Sequence, residues 1–429
     1  MKLHSYWTDS APLFAPAQQA LPARADVVIV GGGFTGLSAA LALAKRGAKV
    51  AVLEAGAVAG EASGRNGGHV NNGLAVDYAL LAERVGSEKA GAWYRAYDAA
   101  VNTVADLVRD ENIDCYFERN GKLKLASRPA HYDTLARGLD RLRREVDADV
   151  ELLSASQVRQ EVDSDKFYGG LLQKRSGQMH MGRFAVGLAQ AAIKHGAQIH
   201  AQTPAMKLER ITSTGHAHRV HTARGVIEAA QVLVATGATL HGNYGSYGFW
   251  RRRIVPIGSF IITTESLGRE RALKVLSGRR TYTTTANIHN YFRLTHDDRL
   301  VFGGRARFAM SSPQSDAKSG LILQQALAQM FPQLGDVRID YCWGGLVDMT
   351  QDRLPHAGQH NGLYYSMGYS GHGTQMSVHM GQCMARVMGG EVSANPWRDL
   401  RWPAIPGHFG PPWFLPAIGL YYRIKDKLL

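Results

Sequence analysis

Gly31, Gly33 and Gly36 stand at G-x-G-x-x-G spacing, and an acid, Glu54, follows 18 residues after the last of them. Each residue type answers a requirement of dinucleotide binding. Gly31 permits a tight turn, Gly33 lets a pyrophosphate approach the backbone, and Gly36 lets a helix pack close to a strand. A carboxylate at position 54 accepts both hydroxyls of an adenosine ribose and repels a 2′-phosphate.

The elements that must position these residues surround them. "DVVIV" is a β-branched apolar run suited to a strand buried on both faces. "LSAALALAKRG" is the helix that follows, closed by Lys45, Arg46 and Gly47, and "KVAVLE" is a second strand ending on the acid. Strand, turn, helix, strand and acid in one register specify a dinucleotide. They do not separate NAD from FAD, which share the adenosine diphosphate half.

Three later segments favour a flavin. "GAVAGEASGRNGGHVNNG", Gly56 to Gly73, carries six glycines in 18 residues together with Ser63, Arg65, Asn66 and His69. Such a stretch is expected as a loop rather than a packed helix, offering backbone N–H groups and a cation to an extended cofactor. "GVIEAAQVLVATGA" reads as a strand leading to Thr236 and Gly237, a second close approach of backbone. "GLYYSMGYSGHGTQMSVHMGQCMARVMGGE" reads as a strand, a glycine turn and a helix starting near Thr374, whose positive end suits a ring that becomes anionic on reduction. No second complete glycine motif occurs, which argues against a nicotinamide partner.

"VVIVGGGFTGLSAALALAKRGAKVAVLEA", "GEASGRNGGHV", "VLVATGA", "WGGLVDMTQDRLPHAG" and "GYSGHGTQMSVHMG" together resemble the D-amino-acid-oxidase-like superfamily of FAD-dependent amine oxidoreductases. "ASGRNGG" and "WFLPAIGLYYRIKDKL" are most similar to its γ-glutamylputrescine oxidase branch. The resemblance implies an α/β fold: a Rossmann-like FAD-binding domain of the glutathione-reductase type, with a discontinuous α+β substrate domain on a mixed antiparallel sheet. It implies that Gly31, Gly33, Phe34, Thr35, Gly36, Glu54 and Ala55 hold the ADP half. Ser63, Arg65, Asn66, Gly67, Gly68 and His69 then follow the pyrophosphate toward the ring. Gly371, His372, Gly373, Thr374 and Gln375 sit at the pyrimidine edge, and Met206 supplies backbone to the adenine near Thr236 and Gly237. No covalent attachment position is matched, so the FAD is expected to be non-covalent.

The expected FAD-binding domain comprises 22–77, 146–244 and 341–390, the substrate domain 78–145 and 245–340, and a C-terminal tail 391–429. Residues 78–145 are mostly helical in pattern, with Trp93, Tyr94 and Tyr97 expected in the core. Residues 245–340 alternate as strands, with a hairpin at the "DD" of Asp297 and Asp298. This sheet is expected to roof the flavin.

Amine oxidation by flavin removes hydride from the carbon bearing nitrogen, so the protein needs orienting groups rather than a nucleophile. The candidates are His372, Tyr369, Arg305 and His69, with Arg307 beside Arg305 as a second possible carboxylate clamp. His216, His218 and His221 fall in a strand hairpin, and no metal site is expected.

The chain of 429 residues is 45% hydrophobic and 20% charged, ordinary for a globular protein. Cys115, Cys342 and Cys383 form no CxxC pair, and the N-terminus lacks an apolar signal core, so a cytoplasmic protein is expected. The net charge of +13 is scattered, which argues against nucleic acid as a partner. The tail sets aromatics beside cations, so peripheral membrane contact stands against docking on the body, with Pro411, Pro412 and Pro416 expected to break any long helix. The leading reading is oxidation of an amine, a γ-glutamylated polyamine, with O₂ as acceptor. The second is an amino-acid dehydrogenase or oxidase passing electrons to quinone or O₂. A third is a flavin-binding protein with a structural or tRNA-modifying role, against which the scattered charge also speaks.

Overall fold

The computed structural model describes residues 1–213, 216–238, 247–304 and 310–428. Strand Arg24–Val30 lies inside the first sheet, parallel to Gly225–Val234 on one side and Val50–Leu53 on the other. Val28 and Ile29 are fully buried, as a strand covered on both faces requires. Gln198–His200 extends the sheet at one edge; Leu363–Met367 and His356–His360 extend it at the other. The hairpin Ala205–Ser213 and His216–Thr222 joins along the first half of Gly225–Val234. His221 there finds a carboxylate across the hairpin, Glu209 at 2.9 Å, a pairing that the linear spacing hides.

Helix Phe34–Ala44 follows the glycine turn and packs against Met181–Lys194 and Gly373–Met388. Its approach to the last is close because both surfaces are small. A Cβ on Gly381 would lie 2.5 Å from the Thr35 carbonyl oxygen and 2.8 Å from Ser38 Cβ. The Ser38 hydroxyl donates to the Val378 carbonyl across the same interface. Trp93, Tyr94 and Tyr97 are buried on helix Ser87–Asp110, as expected.

The second sheet has eight strands in the order Ile339–Met349, Val255–Ser266, Arg299–Gly304, Asn290–Leu294, Thr281–Thr284, Lys122–Leu125, Gly169–Gln173 and Glu151–Ser154. All its pairs are antiparallel except Thr281–Thr284 with Lys122–Leu125. Alternation divides its faces. Phe260, Ile262, Tyr282, Phe292 and Leu294 pack with Leu323 and Leu327 of helix Pro313–Met330, while Ser259, Thr283 and Tyr291 turn to the opposite side. Asp298 takes the hairpin turn with φ 59°.

Several elements depart from the sequence reading. Glu151–Ser154, Gly169–Gln173 and residues 341–349, grouped by sequence with the first unit, pair in the second sheet, because register with Lys122–Leu125 and Val255–Ser266 governs their place. The glycine-rich stretch contains a short helix, Ala62–Arg65, and a two-residue strand, His69–Val70, paired with Gly177–Gln178. One helical turn forms there because the Asn66 side chain donates to the Ala62 and Ser63 carbonyls and closes it. The tail forms helix Leu415–Leu428 despite its prolines. Pro416 falls in the first turn, where its missing N–H costs nothing. Leu415, Phe414, Ile418 and Tyr422 dock that helix on the body.

Overpacking the helix junction tests this architecture. Gly381→Val is expected to cost about 2 kcal/mol or more, read as a lower urea midpoint with an unchanged m-value.

Candidate active site

A cavity of about 320 Å³ lies between the glycine turn of the first sheet and the inner face of the second. At one end Gly31 has φ 113°, and a Cβ there would stand 2.5 Å from the Ala235 carbonyl oxygen, so only glycine leaves the approach open. Gly33, Phe34 and Thr35 line the cavity at the start of the helix. Gly36 does not line it; its Cβ would fall 1.9 Å from the Gly31 carbonyl oxygen, so it serves the strand–helix contact. The Glu54 carboxylate accepts the N–H groups of Gly32 and Gly56, both at 2.7 Å. These bonds fix it with lone pairs to spare for ribose hydroxyls.

Ala55, Pro204 and Ala205 complete this end. The Met206 side chain faces away, 52% exposed, while its neighbour Ala205 lines the cavity, so a contribution from Met206 is confined to its backbone. Thr236 and Gly237 line the far wall, and the Thr236 hydroxyl is buried with no partner.

The middle is formed by Ser63, Arg65, Asn66, Gly67 and His69. Ser63 accepts the Phe34 N–H at 2.9 Å. Five consecutive carbonyls in this stretch are held by groups that do not line the cavity. Gly64 accepts from the Ser5 hydroxyl (2.9 Å), Arg65 from Trp343 Nε1 (2.8 Å) and Asn66 from Trp7 Nε1 (2.7 Å). Gly67 accepts from Arg293 Nε (2.8 Å) and Gly68 from the Met179 N–H (3.1 Å). In a planar trans peptide the N–H points opposite to its carbonyl, so these bonds also fix the direction of the amides that follow, and that of Gly68 donates to Asn66 Oδ1 at 2.9 Å. Gly68 itself is a packing position rather than wall, with φ 75° and a Cβ site 2.2 Å from Arg293 Nη2. The Arg65 guanidinium donates to the Gly60 and Gly344 carbonyls.

At the other end Gly371, His372, Gly373, Thr374 and Gln375 line the cavity at the start of helix Gly373–Met388. Thr374 donates to Asn66 Oδ1 and Gln375 to the Asn71 carbonyl, tying the two cofactor segments together. Burial pushes both His69 and His372 down to about 3, so both are neutral. Among the described residues His69 Nε2 and His372 Nδ1 are buried without a well-formed hydrogen bond. Tyr369 also lines the cavity, but its hydroxyl is shared with Thr35 (2.8 Å) and Ser366 (2.9 Å), and burial raises its pKa further. It locks the strand–helix junction and has no proton to offer at neutral pH. Arg305 and Arg307 lie outside the described residues.

Several residues carry more of the site than their sequence signal suggested. Arg293, 3% exposed, donates to the carbonyls of Gly67, Met179 and Leu294. Asp348 lines the cavity opposite Gly237 and accepts the Gly368 N–H at 2.6 Å, and burial raises its carboxyl to about 6. A charged residue inside an apolar alternating strand, as in "YFRLTH" and "GGLVDM", was the available clue to both.

Arg293→Met leaves three buried carbonyls without a donor. It is expected to cost about 3 kcal/mol or more and to weaken cofactor retention, read by thermal unfolding and by flavin released on dilution. Asp348 has a folded pKa raised above its unfolded value, so its contribution is full below the ordinary carboxylate range and lost as pH rises through about 6. Asp348→Asn should flatten the stability profile across that window by up to about 3 kcal/mol relative to the parent chain, measured by denaturation at a series of pH values.

The cavity fits an elongated dinucleotide by its own chemistry. Close backbone approaches and a fixed carboxylate occupy one end, Ser63, Arg65, Asn66 and Gly67 line the middle, and among the described residues buried polar atoms without a well-formed hydrogen bond lie at Thr236, His69 and His372. The family model described as FAD dependent oxidoreductase (DAO) matches residues 26–387. The chain is 31% identical to the gamma-glutamylputrescine oxidoreductase of Escherichia coli strain K12, covering 99% of this chain and 98% of the relative. It is also 31% identical to the probable oxidoreductase OrdL of Haemophilus influenzae, covering 99% and 97%. Among solved structures, glycine oxidase from Geobacillus kaustophilus shares the fold with a TM-score of 0.70 at 22% identity, covering 90% of this chain and 99% of that one. With a dinucleotide cradle that these matches assign to FAD, the chain belongs to the DAO family of FAD-dependent oxidoreductases.

Proposed function

We propose that the protein oxidises an amine, a γ-glutamylated polyamine such as γ-glutamylputrescine, to an imine that water hydrolyses, with O₂ taking the electrons. The observation that carries this reading is the near full-length similarity to a relative named gamma-glutamylputrescine oxidoreductase, combined with the neutral ring-end wall. In this reading Gly31, Gly33, Phe34, Thr35, Glu54 and Ala55 hold the ADP half of FAD. Ser63, Asn66 and Gly67 follow the pyrophosphate, and Gly371 to Gln375 meet the ring. None of the three cysteines lines the cavity, which supports non-covalent binding. FAD, when bound, supplies the acceptor for the two electrons and the hydrogen leaving the carbon.

The chain's own groups set the conditions for that transfer. Neutral His372 and His69 place no positive charge against the substrate nitrogen, which favours the free amine over ammonium. The buried His372 Nδ1 accepts an amine N–H and orients the reacting carbon. Ser259, Thr283 and Tyr291 form the facing wall and shield it from bulk water.

A free α-amino acid as substrate would need a carboxylate clamp beside the reacting carbon. Among the described lining residues the one arginine, Arg65, donates instead to backbone carbonyls.

Anaerobic titration of the FAD-loaded protein tests the reading. γ-Glutamylputrescine is expected to bleach the flavin band and air to restore it, while putrescine and free amino acids leave it unchanged. Bleaching by a free amino acid alone would sink the proposal. His372→Ala is expected to lower kcat/KM by about tenfold to a hundredfold with flavin content unchanged, checked by steady-state kinetics and absorbance.

A further inference from the structure

We propose that the outer face of the C-terminal helix docks on an anionic lipid surface. Helix Leu415–Leu428 settles on the body through Leu415, Ile418 and Tyr422, which meet Val255, Ile257 and Met349. One apolar stripe is enough to seat a helix on a core. This helix carries a second. Leu420, Tyr421 and Ile424 are 58%, 58% and 49% exposed, and Trp413 and Phe409 just ahead of them are 76% and 68% exposed. Internal packing does not account for five large side chains held in water within sixteen residues of chain.

The charges around this face identify its partner. The Arg252 guanidinium lies 5.1 Å from the centre of the Phe409 ring. Arg251 lies against Gly410, where a Cβ would meet its Cδ at 3.0 Å. Lys425 belongs to the helix itself. Among the described residues none of these three cations is in an ion pair. The helix sequence "LPAIGLYYRIKDKL" holds three cations against one acid, in a chain of net charge +13. A second copy of the chain would set these cations against one another across a twofold interface. An anionic bilayer instead accepts both halves of the pattern, aromatic and aliphatic side chains at the acyl boundary and cations at the headgroups. No helix among the described residues is long and apolar enough to cross a membrane, so the contact is peripheral. Val347, which lines the cavity, packs against the same cluster as the inner side of the helix, so the lipid contact lies beside the active-site wall.

Co-sedimentation of the FAD-loaded full chain with vesicles tests this. Binding is expected to phosphatidylcholine vesicles containing phosphatidylglycerol, with release by salt, and not to phosphatidylcholine alone. Trp413→Ser with Ile424→Ser, and separately Arg252→Glu, should reduce partitioning by about tenfold or more while leaving flavin absorbance and elution volume unchanged. Absence of binding to both vesicle types, or equal binding by parent and variants, would overturn the proposal. So would a dimer in lipid-free solution that the paired serine substitutions convert to monomer, which would assign the face to a second copy.

Discussion

Five consecutive carbonyls, Gly64 through Gly68, are held from outside by Ser5, Trp343, Trp7, Arg293 and the Met179 amide. The rest of the site depends on that constraint. A glycine-rich stretch has little intrinsic preference for one conformation, and ordering it costs more entropy than ordering most sequences. Each carbonyl left buried without a donor would add about 1–3 kcal/mol. Fixing all five chooses one backbone path and, through peptide planarity, sets the direction of the amides between them. The course of the loop along the cavity is thus held by residues outside the lining.

The second sheet takes part in this arrangement as scaffold as well as wall. Arg293 reaches from one of its strands, and Trp343 from another. Arg293 is buried with its pKa lowered to about 10, and its guanidinium lies 5.0 Å from the Trp7 ring. Its donors are spent on three carbonyls rather than on a carboxylate, so this buried cation is held by peptide dipoles. Lys122, on a third strand, does the same for the Asn72 carbonyl at 2.8 Å. Substrate wall and cofactor cradle are therefore joined through backbone, and a disturbance in one is felt by the other.

The dinucleotide unit was readable in the sequence because its chemistry is local. Gly31, Gly33, Gly36 and Glu54 lie within one strand–helix–strand unit, and each spacing corresponds to one contact. The strand before Thr236 and the helix after His372 were readable for the same reason, since a turn residue and a hydrophobic period mark each boundary. The clamp was not, because its side-chain partners are separated from the loop by 59 to 278 residues and no local pattern records such pairs. Helix Ala62–Arg65 escaped notice because six glycines disfavour a long helix but leave room for one turn closed by Asn66. The tail was read from its prolines, and position within the first turn decided what Pro416 does.

The clamp also imposes an order on the life of the chain. Its donors come from the first seven residues and from near position 343, so nearly four-fifths of the sequence must exist before the loop can take its final path. Contacts of such separation form late, after the local strand–helix units have collapsed. A chain still emerging from synthesis holds the glycine turn and Glu54 but lacks part of the donor set for the carbonyls beyond Ser63. Flavin colour would then report that the most distant contacts of the chain have closed.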